Sequence, residues 1–345
     1  MARTPAGYVA QLLRTIAVIG GIFCASCTEQ QDMAPWAFGR CSVSPDGSAV
    51  FFKENWRDGS DIYRIASDGS GLTRLTSGPS YKSWPWVSPD GKSIAYISNS
   101  SNDKGTHVFV MDTDGHHARE LTLGDYPDVA PSYSPDGRKI IFVRAARHRP
   151  RHWGGMTWDQ CDIWQINADG SSPRQLTFGC YPEIDPPYFS PDGKHVLFAA
   201  TTVSGSGMTF RESHHLFIFD IGNDGSAINL RPVPLPPQPE KRQYDGVPSF
   251  SPDGSTIVFA SLRVSRESPY DYEIWTAGAD GSNLRQITHN LSRNQDPIFS
   301  HDGKFIYFYI SGLDLYGLWR MRADGSDAQQ LTESTPPPND TGWRS

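Results

Sequence analysis

Apolar residues along this chain come in short runs of about five, some alternating with polar neighbours and some continuous, each bounded by Gly, Pro, Asp or Ser. Ser93-Ile94-Ala95-Tyr96-Ile97 is one such run and predicts a strand. With 32 Gly and 27 Pro in 345 residues the chain turns constantly, and long helices are not expected. The runs recur in a fixed order. Ser-Pro-Asp-Gly begins at Ser44, Ser88, Ser134, Ser190 and Ser251, and Ser-His-Asp-Gly at Ser300 makes a sixth copy. A second mark, Asp-Gly, stands at Asp68, Asp114, Asp169, Asp224, Asp280 and Asp324. Seven residues after that Asp, five of the six copies carry Leu-Thr or Ile-Thr, at Leu75, Leu121, Leu176, Ile287 and Leu331, while the fourth has Arg231-Pro232 there. Between the two marks an aromatic residue recurs at Tyr63, Phe109, Trp164, Phe217, Trp275 and Trp319.

Each copy predicts four short strands. The first ends at Ser-Pro-Asp-Gly, the second follows that turn, the third carries the aromatic, and the fourth ends at Leu-Thr. Pro presets φ at the second place of a type I turn, and Asp and Gly suit the places after it. A four-stranded unit of about 50 residues cannot bury both of its faces alone, and radial repetition solves that problem. The expected fold is all-β: a six-bladed β-propeller of four-stranded antiparallel blades over residues 36–332, with a tail at 333–345.

This pattern resembles the propeller repeat of the TolB-like bacterial proteins, and the likeness covers nearly all of the chain after its N-terminal segment. The resemblance implies a periplasmic or cell-envelope propeller that binds a protein. TolB carries a separate α/β domain ahead of its propeller, and only residues 28–35 separate the expected signal from the first blade, so that domain is expected to be absent. Similar repeats form the propellers of prolyl-oligopeptidase-type peptidases and of oligogalacturonate lyase, so the resemblance does not choose between scaffold and enzyme.

The first 26 residues read as an export signal. Arg3 and Arg14 precede a short apolar run at 15–23, which is too short to span a bilayer. The run ends in Cys24-Ala25-Ser26-Cys27, which resembles a bacterial lipobox with Cys24 where Leu is usual; it implies lipidation at Cys27 and a short tether over 27–35. Ordinary signal-peptidase cleavage and an uncleaved anchor are the alternatives. Loss of Arg3 and Arg14 with the signal moves the net charge from −7 to −9, and no long basic run offsets it, so nucleic acid is not an expected partner.

Catalytic motifs are not evident. A Gly-x-Ser-x-Gly nucleophile elbow is missing, and Ser204-Gly205-Ser206-Gly207 has the wrong spacing for one. Asp112-Thr113-Asp114-Gly115 lacks the further ligands of a calcium loop, and the histidines, among them His214-His215, are assigned to loops and strand ends rather than to a zinc site. No cofactor or metal is expected. The informative asymmetry is between faces. In an antiparallel meander both repeated turns fall on one face, while insertions at 144–160, 201–213 and 263–271 fall on the other with the blade-to-blade crossings. Aromatic and charged residues lead into the inner strands on that insertion face. The expected ligand-binding set is Tyr126, Asp128, Arg149, His152, Trp153, Tyr181, Glu183, Asp185, Tyr244, Asp245 and Asp296. The expected partner of this monomer is an envelope protein or polysaccharide; the alternative is a polysaccharide lyase or hydrolase using carboxylates at the channel mouth. Cys161 and Cys180 flank the Asp169-Gly170 turn symmetrically and are expected to form a disulfide, leaving Cys41 free.

Overall fold

Strands are the only regular elements among the described residues of the computed structural model, which are 40–56, 59–99, 105–150, 156–204, 211–238, 244–263, 271–290, 292–311 and 316–332. The signal, Cys27, the tether and the tail lie outside them. Blade 1 is β1 (Cys41–Val43), β2 (Ala49–Trp56), β3 (Gly59–Ala66) and β4 (Thr73–Arg74). Blade 2 is β5 (Lys82–Val87), β6 (Ser93–Asn99), β7 (Thr106–Asp112) and β8 (Arg119–Glu120). Blade 3 is β9 (Asp128–Tyr133), β10 (Lys139–Pro150), β11 (Met156–Asn167) and β12 (Arg174–Gln175). Blade 4 is β13 (Tyr188–Phe189), β14 (His195–Ser204), β15 (Arg211–Ile221) and β16 (Ala227–Pro232). Blade 5 is β17 (Asp245–Phe250), β18 (Thr256–Ser261), β19 (Glu273–Gly278) and β20 (Arg285–Gln286). Blade 6 is β21 (Asn294–Phe299), β22 (Phe305–Ser311), β23 (Tyr316–Arg322) and β24 (Gln329–Gln330). Each sheet is a simple antiparallel meander of four consecutive strands, so the six repeats are six blades of a β-propeller.

The apolar core is divided into six clusters, one between each pair of neighbouring blades. β22 shows how one strand serves two of them. Ile306, Phe308 and Ile310 pack with Val258 and Ile274 of blade 5, while the intervening Tyr307 and Tyr309 pack with Val50 and Phe52 of blade 1. A strand buried on both faces reads as a continuous apolar run, which is why the second strands lack clean alternation.

The turn chemistry is the same in all six copies. The Ser hydroxyl donates to the Asp Oδ1 at 2.6 Å. That oxygen also accepts the amide two residues on, as Asp46 does from Ser48 (3.0 Å), and the Ser hydroxyl accepts the amide five residues on, as Ser44 does from Ala49 (2.9 Å). Hydrogen bonds from Ser44 and then Ser48 hold the Asp46 carboxyl down at about 2.

The two repeated glycines are contact surfaces between blades. The Ser-Pro-Asp-Gly glycine of each of blades 2 to 6 faces the proline ring of the preceding blade, as Gly91 faces Pro45 and Gly303 faces Pro252. At the seam between blades 6 and 1, His301 replaces that proline and its Nε2 lies 3.2 Å from the Val43 carbonyl oxygen. In four of the six blades the Asp-Gly glycine instead sits on the residue that opens Leu-Thr in the preceding blade: Gly115 on Leu75, Gly170 on Leu121, Gly325 on Ile287 and, across the seam, Gly69 on Leu331. The Thr hydroxyl of that pair accepts the third-strand amide, as Thr177 does from Ile163 (2.9 Å). In the fourth copy an irregularity in β15–β16 pairing brings Val233 to the Leu position, where its amide donates to Leu216 (2.9 Å). The seam also carries Tyr309 Oη to the Lys53 carbonyl (3.0 Å) and Arg320 Nη1 to the Ser67 carbonyl (2.6 Å). No strand is exchanged across it among the described residues.

Two expectations are revised by register. The insertions at 144–160 and 201–213 are not loops: β10–β11 pair out to Pro150 and Met156, and β14–β15 to Ser204 and Arg211, as ribbons that outrun their inner strands. Cys161 pairs with Tyr181, not Cys180, with N···O distances of 2.7 and 3.0 Å, and the two cysteines are not joined by a disulfide. An offset of one residue turns neighbouring side chains to opposite faces, which leaves Cys161 buried and Cys180 exposed.

Gly325→Ala and Gly47→Ala test the contact role. Both glycines have positive φ, at 94° and 71°, so both variants carry the left-handed penalty of about 1–2 kcal/mol. A Cβ on Gly325 would stand 2.8 Å from the Ile287 carbonyl oxygen, whereas Gly47 has nothing within 4 Å. Urea unfolding should show Gly325→Ala losing about 2 kcal/mol more than Gly47→Ala through overpacking.

Candidate functional site

The innermost strands bulge at one repeated place. Four residues before the turn Ser stand Trp84, Ala130, Val247 and Asp296, all with φ between 49° and 57°, each followed by a proline. Ladder pairing shifts there in all four blades, and such a bulge re-aims a side chain. The equivalent residues in blades 1 and 4 are Arg40 and Pro186.

Nearer the insertion face, the acids that open inner strands are tied within their own blades. Asp128 is fully buried and takes two hydrogen bonds from Arg144, Nε at 2.6 Å and Nη2 at 2.8 Å. Asp245 takes Arg263 Nη2 at 2.6 Å and Ser261 Oγ at 2.6 Å. Arg supplies a planar fork that matches a carboxylate; Arg144 comes from the middle of β10 and Arg263 from two residues past β18.

Asp185 works between blades. His214 Nε2 lies 3.0 Å from its Oδ2, the Val247 amide of blade 5 donates to the same oxygen at 2.8 Å, and Tyr244 Oη reaches it at 3.4 Å. His214 Nδ1 meets Thr201 Oγ1 at 2.9 Å, and its ring lies parallel to that of Tyr244 with centroids 4.8 Å apart. Gly246 has no room for a side chain, because a Cβ would stand 2.6 Å from the Asp185 carboxylate. The loop assignment of His214 is therefore corrected: it is buried on β15, 5% exposed. Burial opposes its charge, but the carboxylate of Asp185 lifts it above the usual histidine value. Burial likewise opposes ionisation of Asp185, yet the charge and hydrogen bond of His214 hold it below the usual carboxylate value.

At the axis, residues of distant blades meet. The Arg40 guanidinium of blade 1 lies 4.7 Å from the ring centroid of Tyr188 of blade 4, and Trp86 of blade 2 is 4.7 Å from the same ring. These contacts occlude the centre of the ring. Asp296 of blade 6 is buried and pushed up to about 6 by that burial, reinforced by Asp185 and opposed by Arg40 and Lys53. Lys53 is almost fully enclosed, which lowers it to about 8 against the pull of Asp296 and Glu54.

Of the expected ligand set, the structure gathers Asp185, Tyr244 and Asp296 near the axis and fixes Asp128 and Asp245 in ion pairs. Tyr126 is exposed, at 52%, and so is Glu183. Tyr181 is half-buried against Phe198 and Phe217, with centroids 6.1 Å away in each case. His152 and Trp153 lie outside the described residues, as does the side chain of Arg149. Sequence reasoning missed Arg40, Lys53, Trp86 and Tyr188. The signal for Arg40 was its spacing of four residues before Ser44, equivalent to Asp296 before Ser300.

The His214–Asp185 pair sets a pH dependence. The raised histidine contributes stability that is complete below its unfolded value and lost as pH rises through its folded one; the depressed aspartate contributes stability lost as pH falls through its folded value. Chemical denaturation should therefore find wild type exceeding Asp185→Asn by more at about pH 6 than at about pH 9.

A family model described as the TolB beta propeller domain matches residues 39–153. The TolB homolog of Chlorobium luteolum is 26% identical over 210 residues, 61% of this chain and 40% of that protein. The chain spans less than half the length of the curated relatives it matches. Among solved structures, TolB from Acinetobacter baumannii superposes with a TM-score of 0.58 at 19% identity, over 83% of this chain and 61% of that one. An oligogalacturonate lyase in complex with manganese gives 0.56 at 15% identity, over 86% and 77%. At such identities the structures share the fold alone. Taken with the six meander blades and their repeated turns, the family match over residues 39–153 and the TolB relatives make this six-bladed propeller similar to the TolB-like β-propellers.

Proposed function

We propose that this propeller is a non-catalytic scaffold of the cell envelope that holds a protein or polysaccharide partner on its insertion face. The fold hosts binding proteins and enzymes alike, so it does not choose between them. The observation that carries the proposal is the pair of ribbons: the central hairpins of adjacent blades 3 and 4 continue past the ladders of their inner strands, as far as Pro150–Met156 and Ser204–Arg211. A rigid ring that projects such ribbons presents edges and side chains to a partner with little ordering cost. The blade 3 ribbon carries Arg147 and Arg149 near its tip, and the sequence continues through Arg151, His152 and Trp153, residue types that dominate many protein contacts. At the heads of the inner strands of blades 3 and 5, Asp128 and Asp245 already accept arginine forks, which favours a structural use of these acids over the split pair of carboxylates a glycosidase needs.

Capture from envelope extract by the purified chain tests this directly. Arg149→Glu combined with Trp153→Ala should weaken capture at least tenfold, about 1.4 kcal/mol. Asp46→Asn, on the face of the repeated turns, should leave capture intact. Loss of capture from Asp46→Asn alone, or turnover of an acidic polysaccharide abolished by Asp185→Asn, would overturn the proposal.

Export and lipidation at Cys27 belong to the same proposal and rest on the sequence of the first 27 residues. Cys27→Ala should move the protein from the membrane fraction to the soluble fraction and remove its acyl mass. Because one myristoyl-sized chain binds membranes only marginally, stable anchoring requires the cysteine to carry more than one chain.

A further inference from the structure

Arg40 and Asp296 occupy the same place in neighbouring blades across the seam, four residues before the turn Ser, and they are the two charged residues among the six at that place. Both are buried, at 4% and 5% exposure. The Arg40 guanidinium lies over the ring of Tyr188 from blade 4, which sets it at the axis, and its charge acts on Asp296. Yet Arg40 Nη2 and Asp296 Oδ2 have no hydrogen-bond partner among the described residues, and the two side chains form no ion pair with one another. The Arg40 guanidinium lies 4.7 Å from the Tyr188 ring centroid, and its Nη2 donor is left unused.

A buried charge without a partner is costly, and each such group in a folded protein calls for an occupant that satisfies it. Here an unused donor and an unused acceptor stand at the same place on two neighbouring inner strands, on opposite sides of the seam. An unused donor and an unused acceptor so placed suit a small molecule that carries an anion at one end and a cation at the other. Trp86 and Tyr188 stand two residues closer to the repeated turns than Arg40 and Asp296, so the approach to the pair is from the insertion face.

We propose that the axis is a binding site for a small zwitterion, whose carboxylate is held by Arg40 and whose ammonium is held by Asp296. The carboxylate takes the guanidinium edge in a charge-assisted fork, and the ammonium donates to Asp296 Oδ2. This site is separate from the ribbon surface, and either can exist without the other.

Calorimetric titration of the full chain with glycine, β-alanine and γ-aminobutyrate varies the distance between the two charges, with acetate and methylammonium as single-charge controls. One member of the series should bind at least tenfold more tightly than either control and raise the melting temperature. Arg40→Gln and Asp296→Asn should each weaken that binding tenfold or more, while Arg149→Glu should leave it unchanged. Binding of the series no tighter than the controls overturns the proposal, as does binding that survives both axial variants. If either variant fails to fold, the comparison of the series with the two controls on the wild-type chain decides. A crystal structure grown with the best binder and showing only water between Arg40 and Asp296 likewise overturns it.

Discussion

A meander of four short strands exposes two apolar faces, and nothing within the blade can cover either. The whole structure follows from that deficit. Each second strand must find a partner surface on both sides, so the blades stack in a circle until the last meets the first, and the core is distributed among six interfaces instead of one centre. The two repeated glycines are where neighbouring blades approach most closely. Without a Cβ, Gly325 lets the Ile287 carbonyl come within a distance that any other residue would block. The recurrence of Asp-Gly and Leu-Thr seven residues apart thus records a contact between copies as well as a turn within one.

Closing a circle of sheets creates an axis, and inner strands cannot fill it with backbone alone. The bulges at Trp84, Ala130, Val247 and Asp296 take one residue per blade out of the ladder, at the expense of a left-handed backbone at residues other than glycine. What those residues are differs from blade to blade. The outer ring is therefore monotonous and the axis individual: an aromatic closure from blades 2 and 4, a stacked guanidinium from blade 1 and a carboxylic acid from blade 6.

Turns and blade order were legible because their chemistry is local. Pro, Asp and Gly at fixed offsets specify a turn without knowledge of any other part of the chain, and Tyr63, Phe109 and Trp164 mark the third strand in the same way. The axis was less legible, because its meaning lies in residues far apart in sequence. Asp128 looks like an available carboxylate until strand pairing brings Arg144 to it, and His214 looks solvated until Thr201, Asp185 and Tyr244 enclose it. The Cys161–Cys180 expectation shows the limit of counting from a turn: pairing with Tyr181 is one residue away from the symmetric position, and one residue suffices to reverse the face.

The seam between blades 6 and 1 has a consequence for how the ring is made. Each blade is a run of consecutive strands, so its pairing can form as soon as its own segment leaves the ribosome, and each new blade can dock on the one before it. The seam alone waits for the whole chain, since Tyr309 and Lys53 stand 256 residues apart in sequence and must meet across a loop that spans nearly every blade. Loop closure becomes more expensive with length only slowly, but it must be met before any seam contact repays it. Assembly of the ring accordingly has a last step of its own. His301 lies on one of the two edges that must find each other.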